Sequence, residues 1–456
     1  MTSAPAQHRP HILLVAAPFQ SHVNPLLRFG RRLAAKGLLV TFTTALRVGI
    51  RLGPGDGSSG RLRVEPLRGC GIWAPDDPRF RVAGNMARHV EAAGPAALEE
   101  LVRAQAEAGR PVTCVVANAF VPWALRVAGE LGLPRGMLWL QSCALLSVYY
   151  HHVHALAAFP EAGVAPGSVT LPGLPELEFE DLHPLLIYAP CQDLWRQMLV
   201  ADLGRDRETM PPWVFVNTFH ELEHATIEGL GEHLPVIPVG PLLEPDDADD
   251  DDDHGCTAWL DARPARSVVF VAFGSLVNND SDEVAEIAAG LAATGRPFLW
   301  VVRDDNRALL SADALCFRDD DRERGMVVPW CAQGRLLAHP AVGCFVTHCG
   351  WNSTAEALAA GVPVVASPRW SDQRINARFL VDVHRVGARA PTPLTRDALR
   401  ERVEEVMGGP EAEAMARRAA RWREKARAAV RDGGSSDQGV QAFVDQIDKL
   451  HAGEPH

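Results

Sequence analysis

The chain is predicted to be an α/β protein of two domains, each built from repeated βαβ units on a parallel sheet. Three observations carry this. Its 456 residues are about three times the usual domain size. Short apolar, β-branched runs alternate along it with helix-prone runs that close on glycine. Near the middle, Val236 to Asp253 breaks the pattern with Pro238, Pro241, Pro245 and a run of aspartates. This gives a first domain over 1–242, an acidic linker over 243–256 and a second domain over 257–436, with a last helix in 437–456.

In the first half, His11 to Ala17 reads as a buried strand, followed by Pro18-Phe19-Gln20-Ser21-His22-Val23-Asn24-Pro25 and a helix over Leu26 to Lys36 that Gly37 ends. His22 is thus expected in the loop at the helix N-terminus, where the helix dipole disfavours an imidazolium; a neutral imidazole is what a general base requires. Leu38 to Thr43 is the next strand and Arg61 to Arg68 contains another, while Pro78 to Ala108 reads as helix. Val112 to Asn118 is a strand, and a helix starts near Pro122. Trp139 to Phe159 combines a strand end with a helix. Its His151, His152 and His154 lack the further ligands that a metal site needs. Trp213 to Thr218 reads as the last strand of this half. No G-x-G-x-x-G follows the first strand, which removes the main support for a nicotinamide oxidoreductase.

The formal charge is −12, but seven aspartates lie between Asp246 and Asp253, and removing them leaves −5. The balance argues against a nucleic-acid partner. Asp247-Ala248-Asp249 has the spacing of a metal-binding pair, yet a repetitive run flanked by Pro and Gly reads as solvated linker. Nine cysteines without C-x-x-C spacing, and a start with neither basic nor apolar targeting region, point to the cytosol. The longest stretch without formal charge, Gly136 to Pro160, carries Gln141, Ser142 and three histidines, so no membrane span is expected.

The second half opens with a strand over Val268 to Phe273. Gly274-Ser275 then leads into a helix, and Ser275 is a candidate sugar- or phosphate-side contact. Strands at Phe298 to Val302 and Met326 to Val328 precede Trp330-Cys331-Ala332-Gln333, His348-Cys349-Gly350-Trp351-Asn352-Ser353, Glu356 and Trp370-Ser371-Asp372-Gln373. Within this box, Val342 to Thr347 is a strand, His348 to Asn352 a turn, Ser353 to Ala360 a helix closed by Gly361, and Val362 to Ala366 a strand. Such a unit points free backbone N–H groups at an anion, most naturally a phosphate. Asn376 to Val383 and Glu411 to Arg431 read as helices, Gly433 to Ser436 as a break, and Gln438 to Leu450 as the final helix.

The segment from Trp330 to Gln373 resembles the signature box of plant family 1 UDP-sugar-dependent glycosyltransferases, in both ends, the H-C-G-W-N-S centre, the Glu and the closing Asp-Gln. The resemblance implies a GT-B-like fold, two Rossmann-like domains facing a cleft, with the C-terminal helix packing back on the first. It implies that Trp330 stacks on uracil, Cys331 and Gln333 meet uridine, His348, Asn352 and Ser353 hold the diphosphate around Gly350, and Glu356 takes the ribose hydroxyls. Trp351, Asp372 and Gln373 would hold the sugar. A closing Gln resembles glucose users, so UDP-glucose is the expected co-substrate, without a metal or other cofactor. By the same resemblance His22 is the base that takes the acceptor's proton.

One position departs from the family. Most members have Asp where this chain has Asn118, and no acid occurs between Glu107 and Glu130. Asn118 can orient an imidazole but cannot offset its charge; in the serine-protease triad the same change costs on the order of 10⁴ in rate. A carboxylic acid is already ionised and needs no base. The stretches Asn118 to Trp123, Gln141 to Ala144 and Tyr149 to His151 resemble the branch that makes glucose esters of phenolic acids. Phe19, Gln20, Phe120, Gln141, Tyr149, Trp370 and the loop around Leu182-His183-Pro184 are the acceptor-side candidates. A flavonoid O- or C-glucosyltransferase, and a catalytically weak UDP-sugar-binding protein, remain alternatives, and a monomer is expected.

Overall fold

The computed structural model describes residues 9–45, 60–70, 83–160, 167–182, 193–204, 210–243, 254–274, 281–303 and 324–452. Ser275, His183, Pro184, the acidic run 246–253 and the start of the helix expected from Pro78 lie outside the described residues.

The chain divides into two compact units. The first comprises Met1–Glu176, Leu185–Leu242 and Ala429–His456, and the second Leu177–Pro184 and Leu243–Ala428. This differs from the sequence expectation in two places: Leu177–Pro184 groups with the second unit, and the return to the first begins at Ala429.

In the first unit, strands β1 (His11–Ala16), β2 (Leu39–Thr44), β3 (Leu62–Val64), β4 (Cys114–Asn118), β5 (Arg135–Trp139), β6 (Trp213–Val216) and β7 (Ile237–Pro238) form one sheet in the order β3-β2-β1-β4-β5-β6-β7. All its neighbours pair in parallel. Buried on both faces, such strands must be apolar throughout, as His-Ile-Leu-Leu-Val-Ala and Cys-Val-Val-Ala-Asn largely are. Helices α1 (Gln20–Ala35), α2 (Ala83–Glu107), α3 (Pro122–Glu130), α4 (Cys143–Val153), α5 (Leu194–Leu203) and α6 (His220–Gly231) connect them.

In the second unit, α7 (Cys256–Asp261) leads into β8 (Val268–Ala272), α8 (Ser281–Ala293), β9 (Phe298–Val301), β10 (Gly325–Val328), α9 (Gln333–Leu337), β11 (Val342–Thr347), α10 (Trp351–Ala360), β12 (Val364–Ala366), α11 (Gln373–Arg378) and β13 (Gly387–Arg389). The sheet order is β10-β9-β8-β11-β12-β13, again parallel. Gly361, at φ 74° after α10, takes the left-handed conformation that ends the helix. Helices α12 (Arg396–Met407) and α13 (Ala412–Val430) follow.

The last helix, α14 (Ser435–Ala452), drives Val440, Phe443, Val444 and Ile447 into the core of the first unit. The Phe443 ring lies 5.1 Å from Trp213 and 4.9 Å from Phe215, and each such buried side chain contributes about 1.5–3 kcal/mol. No helix among the described residues is long and apolar enough to cross a membrane.

Several elements differ from expectation. Helix α1 starts at Gln20 and carries Pro25 within it, so His22 sits inside its first turn rather than in the loop before it. Ile237–Pro238, too short for a periodic signal, adds a strand beyond Trp213–Val216. The helix expected over Asn376 to Val383 begins at Gln373 and widens into a π-helical turn at Phe379–Val383. The break before α14 is shorter than Gly433 to Ser436, because Ser435 already belongs to the helix.

Candidate active site

Each sheet changes direction once. In the first the reversal falls between β1 and β4, in the second between β8 and β11, and the crevice above such a point is where open α/β sheets bind ligands. His22 follows β1 and Asn118 ends β4. Gly274 follows β8 and His348 follows β11. The candidate residues of each unit therefore gather at its own switch point.

In the first unit, His22 belongs to a closed ring of four aromatic side chains. Neighbouring centroids stand 5.7 Å apart for Phe19 and His22, 5.6 Å for His22 and Phe120, 5.6 Å for Phe120 and Trp195, and 5.6 Å for Trp195 and Phe19. These are contact distances for tilted and edge-on rings. Phe120 takes φ 73°, a conformation rare for a non-glycine residue, and sites that need a fixed side-chain direction hold such strain. His22 keeps some exposure, but its Nδ1 is enclosed without a hydrogen-bond partner among the described residues. Burial lowers its pKa to about 4, against a smaller raising effect of Asn118, so the imidazole is neutral at pH 7.

Asn118 spends its side chain on the backbone. Its Oδ1 accepts from the Ala17 N–H at 2.8 Å, and its Nδ2 donates to the His22 carbonyl at 3.2 Å. It fixes the β1–α1 turn without giving the ring a charge. The other acceptor-side candidates are dispersed. Gln20 is exposed and donates to Asn24, Gln141 is half-buried before α4, and Tyr149 packs inside against Trp139 at 6.1 Å. The start of α4 is pinned by Glu223, whose carboxylate accepts from Cys143 N–H at 2.9 Å and Ala144 N–H at 2.8 Å. Trp195 and Glu223 were not singled out from the sequence; no periodic or motif signal marks either.

In the second unit the box folds into a network of spent hydrogen bonds. Gln333 Nε2 donates to Glu356 Oε2 at 2.6 Å and to Ser353 Oγ at 2.9 Å, joining three predicted residues. Asp372 Oδ2 accepts from the Trp351 N–H at 3.0 Å and from Asn376 Nδ2 at 2.8 Å, at the N-terminus of α10. Burial raises the Asp372 pKa, opposed by these bonds. Gln373 Oε1 accepts from the N–H groups of Arg369 at 2.8 Å and Trp370 at 3.1 Å. One side-chain oxygen of Asp372 and one of Gln373 are thus spent on holding nearby backbone and side-chain groups in place.

His348 lies in a slot made by two glycines. A Cβ on Gly274 would stand 2.7 Å from His348 Nε2, and one on Gly350 only 2.6 Å, so neither position accepts a side chain without moving the ring. Burial, aided by Arg369, lowers the His348 pKa to about 4. Cys349 at φ 63° and Ser371 at φ 58° add backbone strain at the same place. Trp351, Cys331 and Ser353 are buried, and Asn352 is half-buried. Trp330 and Trp370 stay 48% and 39% exposed, unusual for indoles and suited to stacking.

A sequence model described as UDP-glucoronosyl and UDP-glucosyl transferase matches residues 242–419. A gallate 1-beta-glucosyltransferase of Punica granatum is 40% identical, over 96% of this chain and 90% of its own length. The chain belongs to the UDP-glucosyl transferase family. Among other relatives of this UDP-glycosyltransferase, a cinnamate beta-D-glucosyltransferase of Fragaria ananassa is 38% identical over 97% of this chain and 83% of its own length. Of solved structures, Os79 from O. sativa in complex with UDP matches at a TM-score of 0.83 and 31% identity, covering 96% of this chain and 100% of that one. The fold is GT-B, with a Rossmann-like domain in each unit, and the enzyme takes its sugar from a UDP-sugar co-substrate.

Proposed function

We propose that this UDP-glycosyltransferase transfers glucose from UDP-glucose to the carboxylate of a small phenolic acid, forming a glucose ester. The observation that carries the reading is the His22–Asn118 pair. No carboxylate among the described residues is hydrogen-bonded to His22. Asn118, which accepts from the Ala17 N–H and donates to the His22 carbonyl, is a neutral amide whose raising effect on the imidazole is smaller than the lowering by burial. An imidazolium formed there would have no counter-charge among the described hydrogen-bond partners, in a largely enclosed, aromatic setting. A carboxylate acceptor avoids the problem, because it arrives ionised. The relatives that act on gallate and cinnamate support the same choice.

In the proposed reaction an acceptor carboxylate oxygen, set beside neutral His22, attacks the anomeric carbon of the sugar. The bond from that carbon to the UDP oxygen breaks, its electron pair leaves with the diphosphate, and configuration inverts. Trp330 stacks on uracil, Glu356 takes the ribose hydroxyls, and Trp351, Asp372 and Gln373 take the sugar. The diphosphate is held by Asn352, Ser353, His348 and the N-terminus of α10 around Gly350, in place of a metal. The reading extends to a monomer in the cytosol, where buried thiols such as Cys70, Cys114 and Cys344 stay reduced.

The test is UDP release from UDP-glucose across hydroxycinnamic acids, flavonoids and aliphatic alcohols, with the products exposed to alkali. Alkali-labile products formed mainly from acids are expected. Stable flavonoid glucosides as the main product would overturn the acceptor class.

A further inference from the structure

Arg369, a largely but not fully buried cation of the second unit, has no role in the reaction above. It lies between β12 and Trp370. Its Nη1 pairs with the carboxylate of Glu283 in the first turn of α8, and only 13% of the Arg369 side chain and 8% of the Glu283 side chain are exposed. The guanidinium carbon stands 5.5 Å from the centre of the Phe273 ring. Phe273 leads directly into Gly274, whose missing Cβ makes room for His348. The Arg369 main-chain N–H donates to Gln373. One arginine therefore touches the start of α8, the β8 end beside His348, and the turn that bears Gln373.

Its hydrogen bonding among the described residues is incomplete: Nε and Nη2 are buried with no partner there. A guanidinium has five donors, and buried donors left unmatched are costly, so an ion pair kept for stability alone would satisfy them or give way to apolar packing. The charge itself has a use here. UDP carries its negative charge on the diphosphate, and that charge grows as the sugar departs. His348 is held neutral, partly by Arg369, and adds no charge of its own.

We propose that the Arg369 guanidinium is a positioning residue for the diphosphate, setting the positive potential in which the UDP-sugar binds and UDP departs. The proposal rests on the donor-site reading given above. Arg369 forms no bond to the reacting atoms and acts through space, with Glu283 fixing where its charge sits.

The test compares uridine with UDP by calorimetric titration of the wild-type enzyme, Arg369→Lys, Arg369→Gln and the double variant Arg369→Gln/Glu283→Gln. Arg369→Gln is expected to keep uridine affinity within about twofold while weakening UDP about tenfold. Arg369→Lys should regain most of the UDP affinity, and the double variant should not. Equal weakening of uridine and UDP would overturn the proposal, as the mark of a structural defect. So would recovery in the double variant, which would trace the loss to a stranded Glu283. A wild-type enzyme that binds neither uridine nor UDP would instead sink the donor-site reading, and this proposal with it.

Discussion

The two units place their candidate residues in the same frame and surround them in opposite ways. Each sheet has a 3-2-1-4 strand order, each candidate histidine follows a strand at the reversal, and burial holds each near pKa 4. Around His22 the neighbours are rings: Phe19, Phe120 and Trp195. Around His348 they are the glycines Gly274 and Gly350, and the same unit carries a polar network through Gln333, Ser353, Glu356, Asp372 and Gln373. Rings offer area without directional demands, so they tolerate different flat acceptors. A network with its hydrogen bonds already assigned accepts one nucleotide and rejects its analogues. The frame sets where a ligand goes, and the neighbours set how strictly it is chosen.

The largest expected effect separates the two histidines by acceptor. His22→Ala should cut transfer to phenols and alcohols roughly 10²–10⁴-fold, yet cost less than about tenfold with carboxylates. Initial rates on matched acids and phenols measure this, and an equal loss on both would make His22 an obligatory base after all.

The next concerns pH and stability, where the two units should behave alike. His11 in the first unit is fully buried, with Nδ1 against the Arg110 carbonyl and Nε2 against Thr41 Oγ1, and burial lowers its pKa to about 4. In the second unit His384, packed edge-on 4.8 Å from Trp422, is likewise lowered to about 4. The unfolded chain takes up these protons near pH 6.5 and the folded one only near 4. Stability is then full above about 6.5 and falls as the pH drops through that window, by up to about 3 kcal/mol for His11. Urea midpoints at about pH 7 and 4.5 should show a smaller acid loss in His11→Gln than in the wild type.

Glu356→Ala should reduce kcat/KM for UDP-glucose by about 10- to 100-fold with every acceptor alike, as a hydrogen bond to a charged group is worth roughly 1.5–3 kcal/mol. An acceptor-dependent loss would blur the division between the units. The smallest effect is expected for Gly274→Ala. At φ 74° and facing His348 Nε2, a methyl group costs about 1–2 kcal/mol in backbone strain alone, read as a lower melting temperature and weaker UDP binding.

How much of this the sequence disclosed follows from what kind of signal each part leaves. The strands were legible because a doubly covered parallel sheet leaves unbroken apolar runs; β11 matches its expected span, Val342 to Thr347. The box was legible because residues close in space there are also close in the chain, so spacing alone encodes the network from Gln333 to Glu356. Trp195 was not, since its ring meets Phe19 and Phe120 from 176 and 75 positions away, and tertiary packing of that kind has no local pattern. Glu223 escaped for the same reason: 80 residues separate it from Cys143. The start of α1 was misplaced because Pro25 suggests a first turn, whereas this helix carries it farther in.

The return of the chain to its first unit after Ala428 has a consequence for synthesis on the ribosome. The second unit's strands and helices are all translated before α13 ends, so it can close its own core during translation. The first unit cannot. Phe443 and its neighbours on α14 belong to its core yet are made after the second unit, so Trp213 and Phe215 wait uncovered while the whole of the second unit's main segment emerges and folds. A truncation before α14 would spare every residue of both candidate sites and still leave the first unit as a chaperone client rather than a finished domain.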